Sequence, residues 1–327
     1  MTDVARLAGV SHQTVSRVLN GHPNVREQTR LRVRAAIAEL GYRPNRAARA
    51  LVTGRSQVIG VVAQNSTLYG PASLLAAFEQ AAGAAGFAVN VGSVRSLDRQ
   101  SIAGVVERHL DQRVAGLVVI APVVSAGEAV EQVPTGVPLV TIDGDPQRNT
   151  ALVTVDQTAG ARAATQCLLD AGHSTVWHVS GPADWFDSAG RISGWEETLR
   201  EAGAEVPPLV PADWSAASGY RAGQMLARMR DVTAIFAAND HLALGILRAL
   251  SERGRRVPDE VSIVGFDDVP EAAYFTPPLT TVRPDFDAVA KASLALLLRQ
   301  IESGARSDER LTIEPTLIRR DSVATPH

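Results

Sequence analysis

Four side chains near the N-terminus carry the first chemistry in this sequence. His12, Gln13, Ser16 and Arg17 stand within two helical turns of one another, and none is needed for an apolar stripe. Glutamine can bond the paired edge groups of adenine, and arginine can fork onto guanine O6 and N7, each contact discriminating by about 1 to 3 kcal/mol. Ser11, Thr14, Asn20 and Thr29 add short donors suited to phosphates, which set register without reading sequence. A second set lies far along the chain, where polar residues directly follow apolar runs. Asp143 follows Leu139 to Ile142, Asn239 and Asp240 follow Ala234 to Ala238, and Asp267 and Asp268 follow Val261 to Phe266. A buried carboxylate or amide needs a partner, and a ligand can supply it. Carboxylates and amides with an arginine suit sugar hydroxyls, and a ring such as Trp214 can cover the apolar face of a pyranose. Plainer readings stand beside these: a basic helix face can be merely solvated, Asp267 and Asp268 can be strand-end caps, and Trp214 can be a core aromatic.

The first set must be held by small helices. Val4, Leu7 and Ala8 form one helical stripe, Val15, Val18 and Leu19 another, with Gly9 between them where a tight turn can require positive φ. Ser11 is placed to cap the second helix through its hydroxyl. This is a helix-turn-helix pattern, closed by a third helix over about Glu27 to Leu40 with Val33, Ile37 and Leu40 on one stripe. Pro44 stops that helix, and Asn45 can cap a short one over about Arg46 to Val52. Charge supports the same division: residues 1–55 carry ten arginines and three acids, whereas the rest of the chain carries 22 basic and 32 acidic residues. Only the head attracts polyanions.

The second set belongs to a larger unit. Apolar runs at Val58 to Val62, Ala88 to Val91, Gly116 to Ile120, Leu139 to Ile142, Val176 to Val179, Ala234 to Ala237 and Val261 to Phe266 read as buried parallel strands. Helical patterns lie between them at Pro71 to Ala85, Gln157 to Ala171, Ala189 to Ala202, Gly219 to Met229 and His241 to Arg253, so an α/β body is expected, with ligands at the carboxyl ends of its strands.

The segments DVARLAGVSHQTVSRVLNG and TRLRVRAAIAELGYRPNRAARAL closely resemble the lactose-repressor/galactose-repressor family of bacterial transcription regulators. The resemblance extends over nearly the whole body, through SAGRISGW, ADWSAASGY, AANDHLALG, VGFDDV and PPLTTVRPDF, which are similar to effector-site motifs of the family's namesake. It implies a helix-turn-helix DNA-binding domain at 1–44, a hinge helix and linker at 45–57, and a two-lobed periplasmic-binding-protein-like body with parallel sheets at 58–327. The N-terminal lobe would take about 58–155 and 286–314, and the C-terminal lobe about 156–284 and 315–327. Crossovers are expected near Val155 to Gln157, Arg283 to Phe286 and Glu314 to Thr316, with a long helix at about Asp287 to Ser303 returning to the N-terminal lobe. In the family, paired hinge helices enter the minor groove and wedge a leucine into a base step, a role the resemblance gives to Leu51, with Ala48 and Asn45 beside it. It gives sugar contacts to Arg191, Trp214, Asn239, Asp267 and Phe286, an apolar wall to Leu68, Gly70, Pro71 and Leu74, and completion of the polar set to Asp143. Trp214 favours a sugar over a purine. Asp187 and Ala189 depart from the small polar and basic residues of the namesake, and QNSTLYGP differs along the lobe wall, which leaves the sugar open within β-linked disaccharides and β-galactosides.

The expected function is a sequence-specific repressor of sugar-utilisation genes, a homodimer on a near-palindromic double-stranded operator, released by a sugar effector. A co-repressing purine or other metabolite is the alternative sign. A transport protein or a sugar-acting enzyme fits less well: no export signal leads the chain, and no GxxxxGK, HExxH or GxSxG motif occurs. No cofactor, metal or membrane association is expected. His109, His173 and His178 lack ligand spacing, the single Cys167 reads as a core residue, and the compartment expected is the cytoplasm. LIRRDSVATPH carries no leucine heptad that would join dimers into a tetramer.

Overall fold

The computed structural model describes residues 1–19, 22–42, 56–131 and 133–326, without the side chains of residues 128 and 129. The chain divides into two compact units, Met1–Gln57 and Val58–His327.

In the first unit, α1 (Thr2–Ala8), α2 (His12–Leu19) and α3 (Glu27–Glu39) enclose a core of Val4, Ala5, Ala8, Val15, Val18, Val33 and Ala36. Gly9 closes α1 at φ +62°, a left-handed conformation that disfavours any side chain. The Ser11 hydroxyl accepts from the Thr14 backbone N–H at 3.2 Å and caps α2. Two stripe residues depart from the sequence expectation. Leu7 and Leu40 are exposed, and the small Ala5 and Ala36 occupy the buried positions instead. Close helix crossing needs a methyl there, not an isobutyl group.

The second unit holds two six-stranded sheets. The first contains β1 (Val58–Gln64), β2 (Ala88–Val94), β3 (Gly116–Ile120), β4 (Leu139–Ile142), β5 (Ala151–Val155) and β11 (Arg310–Ile313), in the order β11-β5-β4-β3-β1-β2 and parallel throughout. Three helices pack with it: α4 (Tyr69–Ala84), α5 (Arg99–Asp111) and α11 (Phe286–Ser303), beside the short α6 (Gly127–Glu131). The second sheet runs β12-β10-β9-β8-β6-β7, from β6 (Trp177–Ser180), β7 (Val210–Pro211), β8 (Ala234–Ala237), β9 (Ser262–Phe266), β10 (Thr280–Arg283) and β12 (Thr316–Ile318), the last antiparallel to β10. Its helices are α7 (Gln157–Asp170), α8 (Phe186–Glu201), α9 (Ala216–Leu226) and α10 (Asp240–Glu252).

Each sheet is covered on both faces, so its central strands are apolar without alternation, as in the fully buried GLVVI of β3. The chain passes between sheets three times, from β5 into α7, from β10 into α11 and from β11 into β12. Among the described residues, no helix is long and apolar enough to cross a membrane.

Candidate functional site

On the head, His12, Gln13 and Arg17 are exposed along α2, while Thr14, Ser16 and Thr29 are half-buried. Ser11 and Thr14 bond each other at 2.9 Å beside the cap, so their hydroxyls are fixed at the start of the helix. The exposed polar face and the buried Val15–Val18 stripe divide one eight-residue helix, an arrangement suited to a helix laid in a groove. Asn20, Asn45, Ala48 and Leu51, and the hinge helix as far as residue 55, lie outside the described residues.

In the body, a narrow cleft gathers residues that follow the carboxyl ends of strands in both sheets. Leu68, Gly70, Pro71, Asp143, Arg191, Trp214, Asn239, Asp267 and Phe286 all line it. Leu74 does not. One turn further along α4, it is 1% exposed and packed in the core of the first lobe, because the helix carries it past the rim and onto the sheet.

The polar groups are built around Arg191. Its Nε donates to Gln157 Oε1 at 2.9 Å, its Nη1 donates to the Ala238 carbonyl, and its Nη2 lies 3.6 Å from Asp267 Oδ1. The guanidinium lies over the Phe266 ring, 3.7 Å from its centroid, and 5.4 Å from that of Trp214. Arg191 and Asp267 are 4% and 8% exposed. Burial pushes the Asp267 carboxyl up to about 7, with Arg191 opposing and Asp187 adding to the rise. Asp143 is buried too, and one of its oxygens accepts from Thr154 Oγ1 at 3.1 Å and the Val155 N–H at 3.4 Å. Burial and then the Asp187 charge raise its carboxyl, and Asp187 is itself raised by burial against the pull of Arg191.

Asn239 caps α10, accepting from the Leu242 N–H at 2.8 Å while its amide donates to the Trp214 carbonyl at 3.1 Å. The Trp214 ring seats against Gly181, where a Cβ would fall 2.2 Å from it, and meets Trp185 edge-on with centroids 5.6 Å apart. Its indole Nε1 is buried without a hydrogen-bond partner. Tyr69 meets Phe286 edge-on at 6.2 Å on the opposite wall. Five non-glycine residues in the described chain have positive φ, and three of them, Asp143, Trp214 and Asp267, line this cavity. Strain of this kind persists where surrounding structure over-determines it, and it concentrates at ligand sites.

The other strand-end acids serve the scaffold. Asp240 accepts from Thr281 Oγ1 at 2.6 Å and the Val269 N–H at 2.8 Å, and Asp268 pairs with Arg283 at 2.5 Å and Arg320 at 2.7 Å. His178 is sealed against Phe236, with Nδ1 2.9 Å from its carbonyl, and burial holds the ring neutral by lowering its pKa to about 3. No group of three His, Cys, Asp or Glu among the described residues is placed to hold a metal ion. Sequence reasoning missed Gln157, Trp185 and Tyr69 and treated Asp187 only as a departure. Asp187 and Arg191 are four apart on α8 and therefore share a face, a spacing that could have linked them.

Residues 1–45 match the family model for bacterial regulatory proteins of the lacI family, and residues 165–323 match that of a periplasmic binding protein-like domain. The lactose operon repressor of Escherichia coli (strain K12) is 34% identical over 99% of this chain and 91% of its own length. The regulator CelR of Thermobifida fusca is 34% identical over 98% of this chain and 96% of its own. The repressor PurR of Escherichia fergusonii is 33% identical over the same shares. A crystal structure of the lac repressor dimer bound to operator and the anti-inducer ONPF matches over 98% of both chains, with a TM-score of 0.88 at 33% identity. The CelR–cellobiose complex matches over 98% of both chains, with a TM-score of 0.73 at 32% identity. All three relatives are transcriptional regulators and none is an enzyme. Head, body and full-length likeness together place this chain in the lacI family of bacterial regulatory proteins, as a DNA-binding transcriptional regulator.

Proposed function

We propose that this regulator represses sugar-utilisation genes in the cytoplasm and leaves its operator when a β-linked disaccharide or β-galactoside occupies the cleft. A homodimer grips a near-palindromic duplex, His12, Gln13, Ser16 and Arg17 meeting base edges and Ser11, Thr14, Asn20 and Thr29 meeting phosphates. Leu51, with Asn45 and Ala48, belongs to a hinge helix that enters the minor groove. Release requires the sugar to bind the DNA-free conformation more tightly than the DNA-bound one.

The observation that carries this reading is the wall chemistry of the cavity. Buried carboxylates and an amide stand beside an arginine held by its own partners, and aromatic rings form the remaining walls. Hydroxyl-rich ligands satisfy such acceptors, and ring faces cover the C–H surface of a sugar. The lactose operon repressor and the CelR–cellobiose complex point the same way, while the likeness to PurR keeps a purine acting as co-repressor as the second reading.

A thermal-shift screen of mono- and disaccharides with a purine arm, followed by operator release for each binder, separates the two. The sugar reading expects a stabilising β-linked saccharide that weakens operator binding. A purine that stabilises the protein and tightens operator binding would replace it.

A further inference from the structure

The acidic and basic side chains that line the cavity do not balance in number. Three acids face it, Asp143, Asp187 and Asp267, and Arg191 is the one cation among the described lining residues. That cation is already committed, through Gln157, the Ala238 carbonyl and Asp267. Asp187 accepts no hydrogen bond from any described residue, and the second oxygen of Asp143 is equally open. Asp267, 8% exposed, has only the 3.6 Å ion pair.

Independently, Trp214 is 6% exposed, lines the same cavity, and has an indole N–H without an acceptor. The occupant must therefore bring several donors for the acids, and the Trp214 ring offers it an apolar face. Anions are disfavoured, because each would add charge to a low-dielectric site already rich in carboxylate. A neutral sugar meets the hydrogen-bonding demand but does nothing for the ionised form of carboxyls that burial has raised, to about 7 for Asp143 and Asp267. An ammonium meets both, through charge-assisted bonds roughly twice as strong as neutral ones.

We propose that, within the sugar class argued above and resting on that reading, this cleft selects saccharides that carry a basic amine, with Asp187 as the residue that sets the preference over the hydroxyl counterpart. Asp187 is suited to this role because it stands in the first turn of α8, on the face of Arg191 and across from Asp143 in the same cavity.

The test is calorimetry on the full-length protein at pH 7 with matched pairs: glucose and glucosamine, galactose and galactosamine, cellobiose and the β-1,4-linked glucosamine dimer. The N-acetylated dimer serves as the uncharged amide control. The amine member of a binding pair is expected to bind about tenfold tighter or better, the equivalent of 1.4 kcal/mol. In Asp187→Ser and Asp187→Asn the amine-to-hydroxyl ratio should fall to near unity. An amine that binds no tighter than its hydroxyl partner in the wild type, or a preference untouched by both substitutions, overturns the proposal while leaving a sugar effector in place. If none of these saccharides binds, the inference is overturned, and the sugar reading falls only if the wider screen of mono- and disaccharides also finds no binder.

Discussion

The head and the cleft place their functional groups in opposite ways. On α2 the candidate base readers project from a helix whose core is made of other residues, Val15 and Val18. In the cleft the polar groups are themselves buried, bonded to the scaffold and in three cases strained. A surface reader can be exchanged with little cost to its fold, whereas a buried site resists folding unless a ligand or a proton relieves it. Specificity should therefore separate from stability in the head and be entangled with it in the cleft.

The largest effect should come from Asp267→Ala. Removing one member of a buried charge pair costs about 2 to 5 kcal/mol, so sugar affinity should fall at least about 30-fold while sugar-free operator affinity stays within about twofold. An unchanged sugar titration would break the contrast at its centre. Arg17→Ala should cost about 1 to 3 kcal/mol at one guanine-bearing half-site position, leave the melting temperature almost unmoved, and spare sugar binding. A uniform loss across all operator variants would demote Arg17 to a phosphate contact.

Gly181→Ala sharpens the cleft side. Its methyl would meet the Trp214 ring at 2.2 Å, and overpacking of this kind costs about 1 to 3 kcal/mol. The indole must shift, so sugar affinity and melting temperature should fall together, without change in operator preference.

The smallest effect is one of pH. With its carboxyl raised from 3.8 to about 7, folded Asp267 holds its proton more tightly than the unfolded chain does. Its contribution to stability is full below about pH 4 and is lost as pH rises through 7. Asp267→Asn should therefore lose less melting temperature than the wild type over that window, Asp143 and Asp187 still titrating in it, with its advantage over the wild type growing towards pH 8. Parallel curves would show that Arg191 fully compensates the charge.

Burial also explains what could be read from the sequence. Central strands such as β3, β4 and β8 are covered on both faces and stand out as apolar runs with the observed bounds. The edge strands β11 (RLTI), β12 (TLI) and β7 (VP) carry no such run and escaped notice, as did TTVR in β10 and the buried ALVTV of β5, so burial alone does not make a strand legible. Asp143, Asn239 and Asp267 were legible because strand ends feed the cleft. Gln157 was not, because it follows β5, which is not among the strands read from the sequence, and Trp185 and Tyr69 were not, because they stand five residues beyond the ends of β6 and β1. Leu74 shows the converse: an apolar residue one turn from the rim reads like wall, yet belongs to the core. On the head, Ala5 is buried as its small size at a close helix crossing implies, while Leu7 and Leu40 are exposed and Ala36 joins the core in place of a larger stripe residue.

One titration tests the central claim most directly: operator binding by the full-length wild type, with and without a saturating concentration of the saccharide that stabilises it most. The account predicts operator affinity at least tenfold weaker with sugar, and no such change in Asp267→Ala. Equal affinity in the two wild-type titrations would contradict it.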